Sequence, residues 1–256
     1  MELIGFYIII GVIGGITAGM LGLGGGIIFV PGLLLVHKFY DLFVGYELQA
    51  AVYSSLVCII FAGSTSSYLH YKNNLINFAI VKKFSFLVAS GCFIGIFLLE
   101  HLSSDFLENI YSIILILLAF LLFSDSKIIK NNIALVKNIG GLYFLTNGII
   151  SSLMGIGGGT LSVPYLSFIT NDIKKSIATA SAIGLIIAVA SMIFMYLINT
   201  NIFFSKLNYT SLIIIIPASI LGSIVGVSML KLINQEKVKI VFSSLLVIVA
   251  IYLIID

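Results

Sequence analysis

The sequence predicts an all-α polytopic membrane protein that consists of two inverted repeats of about five helical segments each. Three observations lead to this fold class: a strongly apolar composition, a glycine-rich motif that occurs twice, and an uneven distribution of lysine along the chain. Hydrophobic residues make up 60% and charged residues 9% of the 256 positions, and the mean hydropathy is +1.22. Because soluble domains contain roughly 25% charged residues, this chain belongs in a lipid bilayer.

Ten apolar segments are predicted to be helical, and a helix that crosses a bilayer needs about 20 such residues. Eight segments approach that length: 3–21, 48–70, 78–99, 106–124, 138–155, 176–198, 207–230 and 238–255. The other two, 27–36 and 160–169, are short, follow glycine clusters directly and contain proline. We expect the first segment to be retained as a span, because Glu2 stands where a signal peptide carries basic residues and no cleavage motif follows.

The first glycine cluster lies in "GMLGLGGGIIFVP" at 19–31, where helix-breaking residues interrupt an apolar run. A dinucleotide-binding fingerprint would need a third glycine at Ile27, and a P-loop would need a lysine that is absent here. The cluster therefore does not indicate a nucleotide site. Short segments interrupted by Gly and Pro, at corresponding places in two halves, are instead typical of broken helices at a transport site.

The two halves do correspond. Residues 14–36 and 147–169 match at nine of 23 positions, including the glycines of each G-x-G-G-G cluster and the prolines Pro31 and Pro164. The similarity extends to "AAVYSSL" and "IATASA", which pairs Ser54 with Thr179, and to two G-x-x-x-G pairs at 91–95 and 222–226. We interpret 1–256 as a single transporter domain with repeats at 1–126 and 134–256. The G-x-x-x-G pairs are expected to allow close helix contact within the fold.

Lysine positions favour ten crossings over eight. With ten crossings, eleven of the thirteen lysines lie on one side of the membrane and Lys38 and Lys206 on the other, in keeping with the positive-inside rule. If the short segments re-enter without crossing, the lysines divide almost evenly. Five crossings per half is an odd number, so the second half is predicted to be inverted, with both termini outside.

The glycine clusters are predicted to bind an anion. Glycine allows close approach to the backbone, and a helix that begins after each cluster directs unpaired N–H groups and a positive dipole end toward it. The predicted binding residues of the clusters and the short helices are Gly22, Gly24, Gly25, Gly26, Pro31, Gly155, Gly157, Gly158, Gly159, Thr160 and Pro164. The alternative is that these glycines serve only tight helix crossing.

Polar residues near the clusters complete the predicted site. Asn147, Ser54, Ser55 and Thr179 are assigned to substrate binding, and further hydroxyl candidates are Ser151, Ser152, Ser162 and Ser181. Hydroxyls in membrane helices also bond to their own backbone, which is the competing interpretation for each. His70 and His101 are expected to be hydrated at helix ends, and Cys58 and Cys92 to be small packing residues.

The doubled "GLGGG…P" and "GIGGG…P", each between a helix rich in small residues and one rich in Ala, Ser and Thr, resemble the sulfite exporter TauE/SafE family. The resemblance covers essentially the whole chain. It implies a multi-pass carrier of the bacterial inner membrane, often for sulfite or organosulfonates.

Other functions stay open at this point. An enzyme is not expected, because the three histidines, the acidic residues and the two cysteines form no catalytic pattern; no cofactor and no metal site is predicted. A channel-like anion pore or a permease for an unrelated small solute are the alternatives. All acidic residues lie near segment ends, which favours anion export driven by the membrane potential over proton coupling. The expected partners are the anion and the lipid bilayer, not nucleic acid; a homo-oligomer is neither required nor excluded.

Overall fold

A computed structural model describes residues 2–123, 139–170, 172–198 and 205–230, together with residues 244 and 247. Helices connected by short turns make up these ranges. In chain order they are α1 (Glu2–Leu21), α2 (Gly26–Phe39), α3 (Glu47–Lys72), α4 (Phe78–His101), α5 (Ser104–Phe123), α6 (Gly140–Met154), α7 (Gly159–Thr170), α8 (Ile173–Ile198) and α9 (Tyr209–Met229). They correspond to the first nine predicted segments, and the tenth, 238–255, lies almost entirely outside the described residues.

Five of these helices are long and apolar enough to cross a membrane: α1, α3, α4, α8 and α9. Large apolar side chains cover their outer faces, and Phe86 and Ile213 are 79% and 75% exposed. In water such a surface would be unfavourable, whereas lipid tails solvate it. The chain is therefore an all-α, multi-pass membrane protein.

Glycine contacts bring together helices from the two halves of the sequence. A Cβ added to Gly91 of α4 would lie 3.1 Å from the Cα of Gly148 in α6, and one added to Gly222 of α9 would lie 3.1 Å from the Cα of Gly15 in α1. Such distances are shorter than an ordinary carbon–carbon contact of about 3.5–4.0 Å. The prediction that the G-x-x-x-G pairs serve close packing within the fold is confirmed.

The central helix α3 defines two ends of the bundle, because its 26 residues span about 39 Å. At its N-terminal end, called end A, His37 Nδ1 donates to Glu47 O. At the same end the ion pair Lys206–Glu100 joins the segment before α9 to the last turn of α4, and the ion pair Lys38–Glu108 joins α2 to α5. At its C-terminal end, called end B, the chain turns at Asn77, whose side chain accepts from the N–H of Ile80 and caps α4. These hydrogen bonds and ion pairs show which helix termini lie at the same end of the bundle.

The two cysteines, Cys58 and Cys92, are free and buried among apolar side chains. The prediction that they are packing residues is confirmed.

Candidate functional site

The two glycine clusters have the same backbone conformation. Three residues in each have φ between 63° and 81°, in the left-handed region: Gly22, Gly24, Gly25, Gly155, Gly157 and Gly158. An L side chain is disfavoured there, because its Cβ approaches the following carbonyl oxygen. The clusters therefore form matching left-handed turns that connect α1 to α2 and α6 to α7.

The clusters touch each other at the centre of the protein. A Cβ added to Gly24 would lie 3.5 Å from the Cα of Gly157. A Cβ on Gly26 would lie 2.6 Å from the Cα of Ile156, and one on Gly159 would lie 2.5 Å from the Cα of Leu23. The last two contacts are equivalent, because Gly159 corresponds to Gly26 and Ile156 to Leu23, each 133 residues later in the sequence. Contacts that recur with the partners exchanged are typical of a two-fold arrangement.

Each cluster leads directly into a short helix. Helix α2 begins at Gly26 and α7 at Gly159, and their 14 and 12 residues span about 21 and 18 Å. Pro31 and Pro164 are both the sixth residue of their helix, and neither can donate to the carbonyl four residues earlier, at Ile27 and Thr160. The glycines of both clusters are buried, so the two helix N-termini lie side by side away from water.

Polar side chains surround the second cluster. Asn147 Nδ2 donates to Ser162 Oγ at 2.7 Å, and Ser151 Oγ donates to Asn147 Oδ1 at 2.8 Å. Ser55 of α3 donates to Gly155 O at 2.8 Å. Thr160 Oγ1 is buried and has no hydrogen-bond partner within the described residues. The structure thus brings Asn147, Ser55 and Thr160 together with the glycines, as the sequence predicts.

Ser54 and Thr179 have matching hydrogen bonds with residues of the other half. Ser54 Oγ accepts from the backbone N–H of Asn208, and Thr179 Oγ1 accepts from the backbone N–H of Asn77. Both asparagines are N-caps, of α9 and α4 respectively. The pairing of Ser54 with Thr179 agrees with these contacts, since each hydroxyl oxygen accepts a hydrogen bond from the N-cap residue of a helix in the other half.

Sequence reasoning missed a buried network at end A. Asn208 Nδ2 donates to Tyr7 OH and to His37 Nε2, each at 3.2 Å. Because His37 Nδ1 faces the carbonyl of Glu47, which only accepts, Nδ1 carries the proton and Nε2 is the acceptor. His37 is fully buried. No local sequence pattern predicts this network, because its members lie as many as 201 residues apart in the chain.

Lys206, close to this network, forms a partly desolvated ion pair. Its Nζ lies 3.6 Å from Glu100 Oε2, and the two side chains are 10% and 7% exposed. It also lies 4.6 Å from the centre of the Tyr46 ring. Burial lowers the pKa of Lys206, and the charge of Glu100 opposes that shift.

The expectation for the histidines was right for one and wrong for the other. His101 is exposed and stacks on Phe97. His70 is fully buried, with Nε2 3.2 Å from Gly19 O. The last turn of α3 packs against the end of α1, and this contact removes His70 from solvent.

Comparison with known proteins agrees with this architecture. Residues 7–253 match the family described as "Sulfite exporter TauE/SafE". A "Probable membrane transporter protein" of Haemophilus influenzae is 26% identical over 189 residues, covering 72% of this chain and 70% of that protein. A protein of the same description from Methanocaldococcus jannaschii is 26% identical over 255 residues, covering 96% and 94%. No solved structure matches the chain. The chain therefore belongs to the sulfite exporter TauE/SafE family and is a membrane transporter.

Proposed function

We propose that this transporter carries small anions, specifically sulfur oxyanions such as sulfite or organosulfonates, and that it acts as a carrier and not as an enzyme. The observation that carries the proposal is the pair of glycine clusters, which touch each other and each lead into a short helix with a buried N-terminus. The sulfur part of the proposal rests on the family.

Helix N-termini favour an anion for two reasons. The first backbone N–H groups of a helix have no partner within it, and the helix dipole places positive potential at that end. Both reasons apply to α2 and α7, whose N-termini are buried at the two glycine clusters. Neutral hydroxyl and amide groups nearby supply further donors, so an anion could be held without a cationic side chain.

We further propose that the two halves are inverted and that the chain makes ten crossings. The recurring contacts of Gly26 and Gly159 support a two-fold relation. The ion pair between Lys206 and Glu100 supports ten crossings. If the two short helices did not cross, residues 100 and 206 would lie on opposite sides of the membrane and could not form an ion pair.

A carrier is favoured over a channel-like pore by the burial of the site. Residues 21–27 and 151–160, which include both clusters, are all buried. An open pore would expose its narrowest part to water from both sides, whereas a carrier passes through states in which the site is closed. We place the protein in the bacterial cell membrane and propose outward transport driven by the membrane potential.

Flux measurements in proteoliposomes test the function. The purified protein would be reconstituted and offered sulfite, thiosulfate, sulfate and methanesulfonate, with a neutral sugar and a divalent cation as controls. We expect saturable flux of sulfite or methanesulfonate that exceeds flux in protein-free vesicles. Flux of the sugar or the cation without flux of any anion would contradict the proposal, and unitary currents in planar bilayers would favour the pore.

A further inference from the structure

We propose that the hydroxyl groups that bind the anion come from the second repeat alone, from Thr160 and Ser162 in the first turn of α7, and that Asn147 and Ser151 hold Ser162 in position. This inference rests on the proposed anion transport and assigns the ligand contacts within that site. The ligand class is an oxyanion whose oxygen atoms accept hydrogen bonds from neutral donors.

The first observation is an unpaired hydroxyl. Thr160 is 1% exposed, and its Oγ1 has no hydrogen-bond partner within the described residues. It occupies the second position of α7, where backbone N–H groups also lack intrahelical partners. Nearly all buried polar groups in proteins are hydrogen-bonded, so this hydroxyl requires a partner that a ligand would supply.

The second observation is how its neighbours are arranged. Asn147 is held on both sides: its Nδ2 donates to Ser162 Oγ, and its Oδ1 accepts from Ser151 Oγ. Because Ser162 Oγ accepts from Asn147, its own proton is left to donate, and this hydroxyl group makes no other hydrogen bond within the described ranges. Ser162 and Thr160 therefore offer two neutral O–H donors within the first turn of α7.

The third observation is that the first repeat lacks this polar group. At the corresponding positions, 133 residues earlier, stand Gly14, Ala18, Ile27 and Phe29. The ring of Phe29 is fully buried against Gly14, where an added Cβ would lie 2.6 Å from Phe29 Cδ1. The same ring lies next to Gly25, whose added Cβ would be 2.8 Å from Phe29 Cε2. In the first repeat the phenyl ring of Phe29 thus occupies the position that corresponds to Ser162.

Hydroxyls that bond to their own helix do not account for the difference. Ser152 shows that ordinary behaviour, since its Oγ donates to Gly148 O at 2.8 Å. Thr160 shows no such bond. Tyr111 and Ser191 also carry buried hydroxyls without a partner within the described residues, but Thr160 is the one in the first turn of a helix that follows a glycine cluster, where a bound anion would supply its partner.

The experiment compares two substitutions at corresponding positions. Thr160→Val removes the hydroxyl and nearly preserves the volume, whereas Ile27→Val removes one methylene from the matched site. The dissociation constants for sulfite and methanesulfonate would be measured by calorimetry on the purified proteins, and each unfolding temperature would be recorded without anion. Ser162→Ala would serve as a second variant.

We expect Thr160→Val to raise the dissociation constant about tenfold or more, because a hydrogen bond to a charged ligand is lost, and Ile27→Val to change it less than twofold. The unfolding temperature of Thr160→Val without anion should equal or exceed that of the wild type, since an unpaired polar group is removed. A lower unfolding temperature with unchanged binding would overturn the inference, as would equal binding by the two valine variants. If the wild type bound neither anion, the proposed function would fail and this inference with it.

Discussion

Gly159→Ala tests whether contact between the clusters holds the two halves together. Gly159 has helical dihedral angles, so alanine introduces no backbone strain and the effect is purely steric. The new methyl group would lie 2.5 Å from the Cα of Leu23 and 2.7 Å from the carbonyl carbon of Gly22. A normal contact is about 3.5–4.0 Å, so the backbones must separate by about 1 Å.

The magnitude follows from the rigidity of both partners. Overpacking a core costs about 1–3 kcal/mol when side chains can move. Here the obstructing atoms belong to a backbone, so we expect a loss of about 3 kcal/mol or more. For a chain of this size that loss corresponds to roughly 6–12 °C in unfolding temperature.

Gly63→Ala is the matched control. Gly63 is a helical glycine of α3, and among the described residues only Ile59 Cγ2, at 3.8 Å, lies within 4 Å of its added Cβ outside the backbone of α3. Alanine there should be neutral or stabilising, because it favours the helix by roughly 0.8–1.0 kcal/mol. The assay is thermal unfolding in detergent, followed by intrinsic tyrosine fluorescence or by loss of monodisperse protein. Equal unfolding temperatures for the two variants would refute the reasoning.

Three further predictions concern end A, end B and the topology. Asn208→Ala should lower the free energy of unfolding by about 3 kcal/mol, because it removes buried hydrogen bonds to Tyr7, His37 and the first turn of α9. Its control, Asn77→Ala, removes one exposed helix cap and should lower that free energy by about 1 kcal/mol. Similar losses of stability in the two variants would contradict this prediction. Lys206→Met should cost about 2 kcal/mol, because it leaves Glu100 partly buried without its cation, and adding Glu100→Gln should recover part of the loss; strict additivity in this double-mutant cycle would argue against the pair. An impermeant maleimide should label Val44→Cys but not Lys174→Cys in intact cells, as the buried native cysteines do not compete; labelling of both from outside would favour eight crossings.

The repeat and its glycine turns could be predicted from the sequence, because glycines at a fixed spacing predict a particular local backbone conformation. Left-handed turns require it, and the residue types at 22, 24 and 25 recur at 155, 157 and 158. The segment lengths were equally readable, since hydrophobic length determines what can lie in a bilayer. The role of Ser54 and Thr179 at the N-termini of α9 and α4 was not readable, because it depends on which helix ends meet.

The network of Tyr7, His37 and Asn208 could not be predicted for the same reason. Each residue stands near a helix terminus, where a polar side chain is unremarkable, and only the packing of α1, α2 and α9 brings them into contact. The burial of His70 likewise comes from its contact with Gly19. In both cases a position near a helix end predicted an exposed side chain, whereas a tertiary contact buries it.

Steady-state distribution of sulfite across proteoliposomes under an imposed potential tests the central claim most directly. One charge moved across 100 mV corresponds to about 2.3 kcal/mol, which is roughly a 50-fold concentration ratio. With the interior negative, we predict that labelled sulfite leaves the vesicles until the outside concentration exceeds the inside by at least that ratio, and that collapsing the potential abolishes the gradient. A sulfite distribution that ignores the potential and follows an imposed proton gradient instead would contradict the account.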